Sequence, residues 1–167
     1  MEKKFLLIIA LVTVVVLFGG VFLFSNSGGS AARIEKTVGA QIQIPHKDFD
    51  FNDIKYNGGN VIHAFPIKNN GSKELVLANL STSCMCTQVY LKKGEEESPR
   101  FGMKGHTAAS DWKGSLGPDE EAELIAVFDP AAHGPQGIGP VERFVSLETN
   151  DPDNPYVEFA FNGVVVK

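Results

Sequence analysis

The chain has 167 residues, with 15 Lys and Arg against 20 Asp and Glu and a formal net charge of −5 at pH 7. An acidic balance with scattered lysines lacks the basic face that phosphate neutralisation needs, so nucleic acid is excluded as a partner. Once an N-terminal apolar segment and a short linker are set aside, roughly 125 residues remain, enough for one domain with its own core and too few for two.

The first element is the run from Phe5 to Phe24, 20 residues without a charge, in which Thr13 is the only polar side chain. At about 1.5 Å rise per residue, a helix of that length matches the hydrocarbon core of a bilayer. Lys3 and Lys4 precede it and, by the positive-inside rule, hold the N-terminus in the cytoplasm, which puts the rest on the periplasmic or extracellular side. A cleaved signal peptide is the competing reading, with Ser25-Asn26-Ser27 as its cleavage site. The run is longer than the usual apolar region of about 7–15 residues, so an uncleaved anchor over residues 1–24 is preferred. No Cys follows the run, which excludes the usual bacterial lipoprotein anchor.

Residues 25–40 are rich in Gly, Ser and Ala, the composition of a flexible tether. Residues 41–167 then alternate in short segments separated by turn residues. Phe49 and Phe51 open the domain. Val61, His63, Phe65 and Ile67 share one face of a second strand, which ends at Asn69-Asn70-Gly71. Leu75–Leu80 makes a third strand and Gln88–Leu91 a fourth. Leu124, Ala126 and Phe128 alternate in a fifth, stopped by Asp129-Pro130. Val145 and Leu147 mark a sixth, which runs into a turn from Asn150 to Pro155, and Val157, Phe159 and Phe161 mark a seventh. About seven strands without a convincing amphipathic helix predict an all-β, immunoglobulin-like β-sandwich, with a barrel as the alternative. Pro66 cannot donate to a ladder, so its strand is expected to lie at an edge or to carry a bulge there.

Asp48-Phe49-Asp50-Phe51, Ile67-Lys68-Asn69-Asn70-Gly71, Ser83-Cys84-Met85-Cys86-Thr87, Phe128-Asp129-Pro130 and Thr149-Asn150-Asp151 occur in this order, and together they resemble the bacterial family known as domain of unknown function 1573. The resemblance spans Asp48 to Val166, with Ser-Cys-x-Cys-Thr as its most specific element. It implies an immunoglobulin-like fold related to hydin-type modules, in exported or envelope proteins, with no established enzymatic activity. Met85 stands where Gly is commoner, Asn52 replaces a Gly, and an insertion from about Lys92 to Gly117 follows the cysteine strand. Asn tolerates left-handed backbone, so the change at Asn52 is mild.

Cys84 and Cys86 are the only cysteines. Placed in a strand, they point to one face and Met85 to the other. Three readings are open for them. They are two small buried side chains; or a disulfide, strained, reducible and redox-active because residues i and i+2 of an extended strand lie about 6.6 Å apart at Cα, near the upper limit for such a bond; or a soft metal site, for which two thiolates suit Cu(I). Met103 and His106, between glycines of the insertion, and His133, in the loop after Asp129-Pro130, are the candidate further ligands. Each of these taken singly is an ordinary solvated or packed side chain. It is their company with the Cys-x-Cys pair that makes a candidate set of Cys84, Cys86, Met103, His106 and His133. His46 and His63 read as ordinary residues beside strands.

No catalytic constellation emerges. Gly114-Ser115-Leu116-Gly117 is not a nucleophile elbow, and His106, Ser110 and Asp111 are neighbours only in sequence. Asp151, Asp153 and Asn154 lack the calcium-loop pattern and read as a turn. The sequence thus predicts a non-enzymatic envelope domain that binds Cu(I), or else an interaction module whose sandwich edge or long loop meets another envelope protein without metal.

Overall fold

In the computed structural model, which describes residues 3–25 and 30–167, the charge-free run lies within one unbroken helix, α1, Lys3–Ser25, of 23 residues. Among the described residues no helix is long and apolar enough to cross a membrane, although the sequence predicts a span over residues 5–24. The proposed cleavage site at Ser25-Asn26-Ser27 runs onto residues 26–29, outside the described residues.

Residues 31–167 form a second compact unit of ten strands. In chain order they are β1 (Ile42–Gln43), β2 (Asp48–Lys55), β3 (Val61–Asn69), β4 (Leu75–Thr82), β5 (Thr87–Lys93), β6 (Glu96–Glu97), β7 (Lys113–Leu116), β8 (Glu121–Phe128), β9 (Gly139–Thr149) and β10 (Tyr156–Val166). One five-stranded sheet has the order β1-β3-β8-β5-β6 and the other β2-β10-β9-β4-β7. The seven strands expected from alternation are all present. The three extra ones, β1, β6 and β7, have two to four residues each, too short to show a period.

Both sheets send side chains into one core. Phe65 of β3 meets Phe159 of β10 with ring centroids 5.0 Å apart, and Phe128 of β8 meets Phe161 at 5.7 Å. Along β10, Val157, Phe159, Phe161 and Val165 are buried while Tyr156, Glu158, Asn162 and Val164 are exposed, the period-two pattern of a strand with one face on the core. β2 departs from that pattern because Asn52 has φ 56° and the β2–β10 register shifts beside it, so Phe49, Phe51 and then Ile54 turn inward. The left-handed backbone that Asn tolerates is thus the pivot of a β-bulge.

Pro66 sits in an unshifted ladder with β8, Phe65 opposite Leu124 and Ile67 opposite Ala122. On its other side β1 covers only Lys68 and Asn69. The missing donor therefore falls on the uncovered edge, as proline requires.

From Ala31 on, the segment read as a tether is held to the domain. Ala32 is buried and exchanges hydrogen bonds with the Asn79 side chain, and the Thr37 N–H donates to the Asn150 carbonyl. Asn69 is buried at the β3 terminus, its amide donating to the Lys73 and Leu116 carbonyls while its Oδ1 accepts the Gly71 N–H. Gly71 packs so closely on the Gly39–Gln41 backbone that no Cβ fits there. At Thr149-Asn150-Asp151, Asn150 pairs with the Val76 N–H and the Glu74 carbonyl. Asp151 accepts the N–H groups of Ile42 and Asp153 and the Asn154 amide.

Two groups make this fold sensitive to acid. Burial raises the Asp151 pKa, but the hydrogen bonds from Ile42, Asn154 and Asp153 outweigh it and hold the carboxyl below its ordinary range. His63 stacks on Phe49 at 3.6 Å and meets Phe65 edge-on at 4.5 Å, and its buried Nε2 has no hydrogen-bond partner. Burial, then the charge of His46, hold its pKa below the ordinary value. Both groups bind protons more weakly folded than unfolded, so the stability they contribute is complete above their unfolded pKa values, about 6.5 for His and 3.9 for Asp, and is lost as pH falls through the folded values. Denaturant unfolding at stepped pH is expected to show a loss beginning below about 6.5 that His63→Phe removes, and another below about 4 that Asp151→Asn removes. Acid curves of both variants parallel to that of the parent contradict the assignment.

Candidate functional site

Strand register decides what gathers at one end of the domain. β5 pairs with β8 so that Thr87, its first residue, lies opposite Phe128, the last of β8. The turn before Thr87 is thereby set against the loop after Phe128. β4 pairs with β9 with Thr82 opposite Val145, which brings the same turn beside Arg143 and Phe144. Residues 83–86 carry the chain from one sheet to the other at this end.

Cys84-Met85-Cys86 is not a strand, as the alternation argument assumed, but this turn. The Thr87 N–H donates to the Cys84 carbonyl at 3.2 Å. The buried Thr82 hydroxyl faces the Cys84 and Thr87 carbonyls at 2.9 and 3.2 Å. The Ser83 N–H donates to the Phe144 carbonyl, and the Ser83 hydroxyl accepts the Phe144 N–H. Tightened in this way, the two cysteines have a Cα separation of 5.2 Å and are joined by a disulfide. That separation is inside the usual disulfide span of about 4.4–6.8 Å. Met85, at the tip, is 66% exposed.

The other two groups come from outside the turn. The Asp129 N–H donates to the Cys86 carbonyl, and Asp129 Oδ1 accepts the Ala131 N–H, which starts the loop that carries His133. Gly134, at φ 65°, reverses the chain just after it. His133 Nε2 lies 3.2 Å from Cys84 Sγ although the residues are 49 apart in sequence. From β9, Arg143 Nε donates to Cys86 Sγ at 3.2 Å, its guanidinium 5.9 Å from the centre of the Phe128 ring. No carboxylate pairs with Arg143 among the described residues.

Of the five residues predicted as ligands, the structure brings three together: ligand atoms of Cys84, Cys86 and His133 all lie within 4.8 Å of one another. His106 is not in this group and is exposed, its N–H bonded to the Met103 carbonyl. Met103 pairs with Thr82 through its backbone and lines a cavity of about 200 Å³ with Asn79, Leu80, Phe101, Thr107 and Tyr156, which neither cysteine lines. The insertion expected to be a bare loop instead carries β6, β7 and the buried Phe101, bridged to Val89. Arg143 is the site residue that the sequence did not reveal, since one cation on a strand has no spacing signature. The disulfide leaves no thiolate, so a metal requires the reduced form.

Residues 42–98 match the family described as a protein of unknown function, DUF1573. No curated protein matches the chain in sequence. Among solved structures the chain is similar to a protein of unknown function from Porphyromonas gingivalis W83, with a TM-score of 0.56 and 15% identity, covering 81% of this chain and 49% of that one. The chain thus spans about half the length of that protein, and the likeness speaks to the fold alone. It also resembles the ASH / PapD-like domain of human CEP192, with a TM-score of 0.47, 18% identity and coverage of 84% of this chain and 96% of that one. The periplasmic chaperone SfaE follows at a TM-score of 0.42 and 9% identity, covering 76% of this chain and 58% of that one.

Proposed function

We propose that this chain, which carries the DUF1573 match over residues 42–98, is a non-catalytic envelope protein: an immunoglobulin-like domain held on the outer face of a membrane by α1, with a soft-metal site at its cysteine turn. The observation that carries the site is the convergence of Cys84, Cys86 and His133 from two separate turns to within 4.8 Å. Two thiolates and an imidazole suit Cu(I), and the Arg143 guanidinium offsets part of the charge that the thiolates bring. The anchor rests on the sequence, the charge-free run from Phe5 to Phe24 behind Lys3 and Lys4. An outer location also agrees with the disulfide, which persists in oxidising compartments.

A second reading, an interaction module without metal, is favoured by one observation: Met85 stands exposed at the tip of the turn, beside the disulfide, where a partner protein can reach it.

Elemental analysis of the full-length protein in detergent, reduced with a phosphine and exposed to Cu(I), is expected to find one copper per chain, and none in the oxidised protein. Cys84→Ala and Cys86→Ala remove the copper, His133→Ala weakens its retention, and His106→Ala leaves it unchanged. Equal retention without either cysteine sinks the site and leaves the module without metal. For the anchor, N-terminal sequencing of the membrane-extracted protein is expected to begin at the chain's own start, and a sequence beginning near Gly28 refutes it.

A further inference from the structure

Beyond metal binding, we propose that Cys84–Cys86 is a redox-active disulfide that accepts two electrons from a dithiol, with Cys84 as the sulfur attacked and Cys86 as the sulfur that leaves. The two sulfurs have different surroundings. Cys84 is half-buried and faces the exposed His133, whereas Cys86 is 4% exposed and lies under Arg143. A disulfide sulfur is neutral and a weak acceptor, yet here it receives the Nε–H of a guanidinium that no carboxylate neutralises among the described residues. Its Nη1 donates to the Glu142 carbonyl at 2.7 Å, but its charge meets an anion, among the described residues, only when Cys86 becomes a thiolate. The Thr87 hydroxyl, 3.7 Å from Cys86 Sγ, is a second group placed for that anion.

The exchange proceeds in two displacements. A donor thiolate attacks Cys84 Sγ, a donor–Cys84 bond forms, the Cys84–Cys86 bond breaks, and its electron pair goes to Cys86 Sγ beneath Arg143. The donor's second thiolate then attacks the donor sulfur of the mixed disulfide. That bond breaks onto Cys84, which takes a proton from solvent. The donor leaves as a disulfide and the turn with a Cys84 thiol and a Cys86 thiolate, two electrons having passed between them. A stabilised leaving thiolate speeds such a displacement, and the exposed Met85 gives the donor apolar surface beside the sulfur it attacks.

Reduced glutathione serves as the test donor, two molecules replacing one dithiol, acting on the full-length protein in detergent, with free thiols counted by alkylation and mass. The wild-type disulfide is expected to open, Arg143→Gln to slow its opening about tenfold, and Arg143→Lys to recover most of the rate. Loss of fold exposes the bond and quickens reduction, so slowing cannot come from misfolding. A second arm treats the reduced Cys86→Ser and Cys84→Ser variants with oxidised glutathione. The adduct is expected to form about tenfold faster on Cys84 than on Cys86, because burial limits access, and this arm alone decides if Arg143→Gln fails to fold. A wild-type disulfide inert to glutathione, a folded Arg143→Gln that opens at the parent rate, or adducts formed equally on the two cysteines would each overturn the proposal.

Discussion

Burial of one apolar layer between two sheets is the constraint on which everything else in residues 31–167 depends. Side chains alternate along a strand, so a slip of one residue would turn Phe159 and Phe161 out to solvent and Glu158 and Asn162 into the core. Register is therefore held tightly by the pairs Phe65–Phe159 and Phe128–Phe161. Once it is held, the places where strands end are held too. Thr87 begins opposite Phe128 and Thr82 stands opposite Val145, so the cysteine turn can fall only between the His133 loop and Arg143. The chemistry at that end is a consequence of packing elsewhere.

The same register gathers at one corner the groups on which both proposed chemistries draw. A turn tightened by Thr82 brings both sulfurs together. Oxidised, they present a disulfide with one accessible and one buried sulfur. Reduced, as both proposals require, they would face the His133 imidazole on one side and the Arg143 guanidinium on the other. The proposed metal binding and the proposed electron acceptance draw on the same arrangement and exclude each other at any moment, because a ligand thiolate and a disulfide sulfur are different states of one atom.

Much of the fold was legible in the sequence, because alternation in β3, β8 and β10 survives as burial of Phe65, Leu124 and Phe159. β1, β6 and β7 were not legible, being shorter than any period, and the insertion was misread because Phe101 is a single buried anchor without a pattern around it. The turn signals had a more physical content than punctuation. Asn69, Asn150 and Asp151 are buried and satisfy backbone groups of other segments, which their short polar side chains suit. At the site, His133 was visible through the Asp129-Pro130 turn. His106 was chosen on proximity to Met103 and glycines, which carries no information about three-dimensional distance. Strand alternation puts Cys84 and Cys86 on one face only if the segment is extended, and it is a turn. What bends them is the Thr82 hydroxyl, whose partners cannot be read from spacing.

The central claim is that the turn holds Cys84 and Cys86 bonded to each other at this corner. The most direct measurement is the mass of the full-length chain isolated without reductant and unfolded in the presence of an alkylating reagent. The account predicts no adduct before reduction and two after it. Two adducts on the unreduced chain would contradict it.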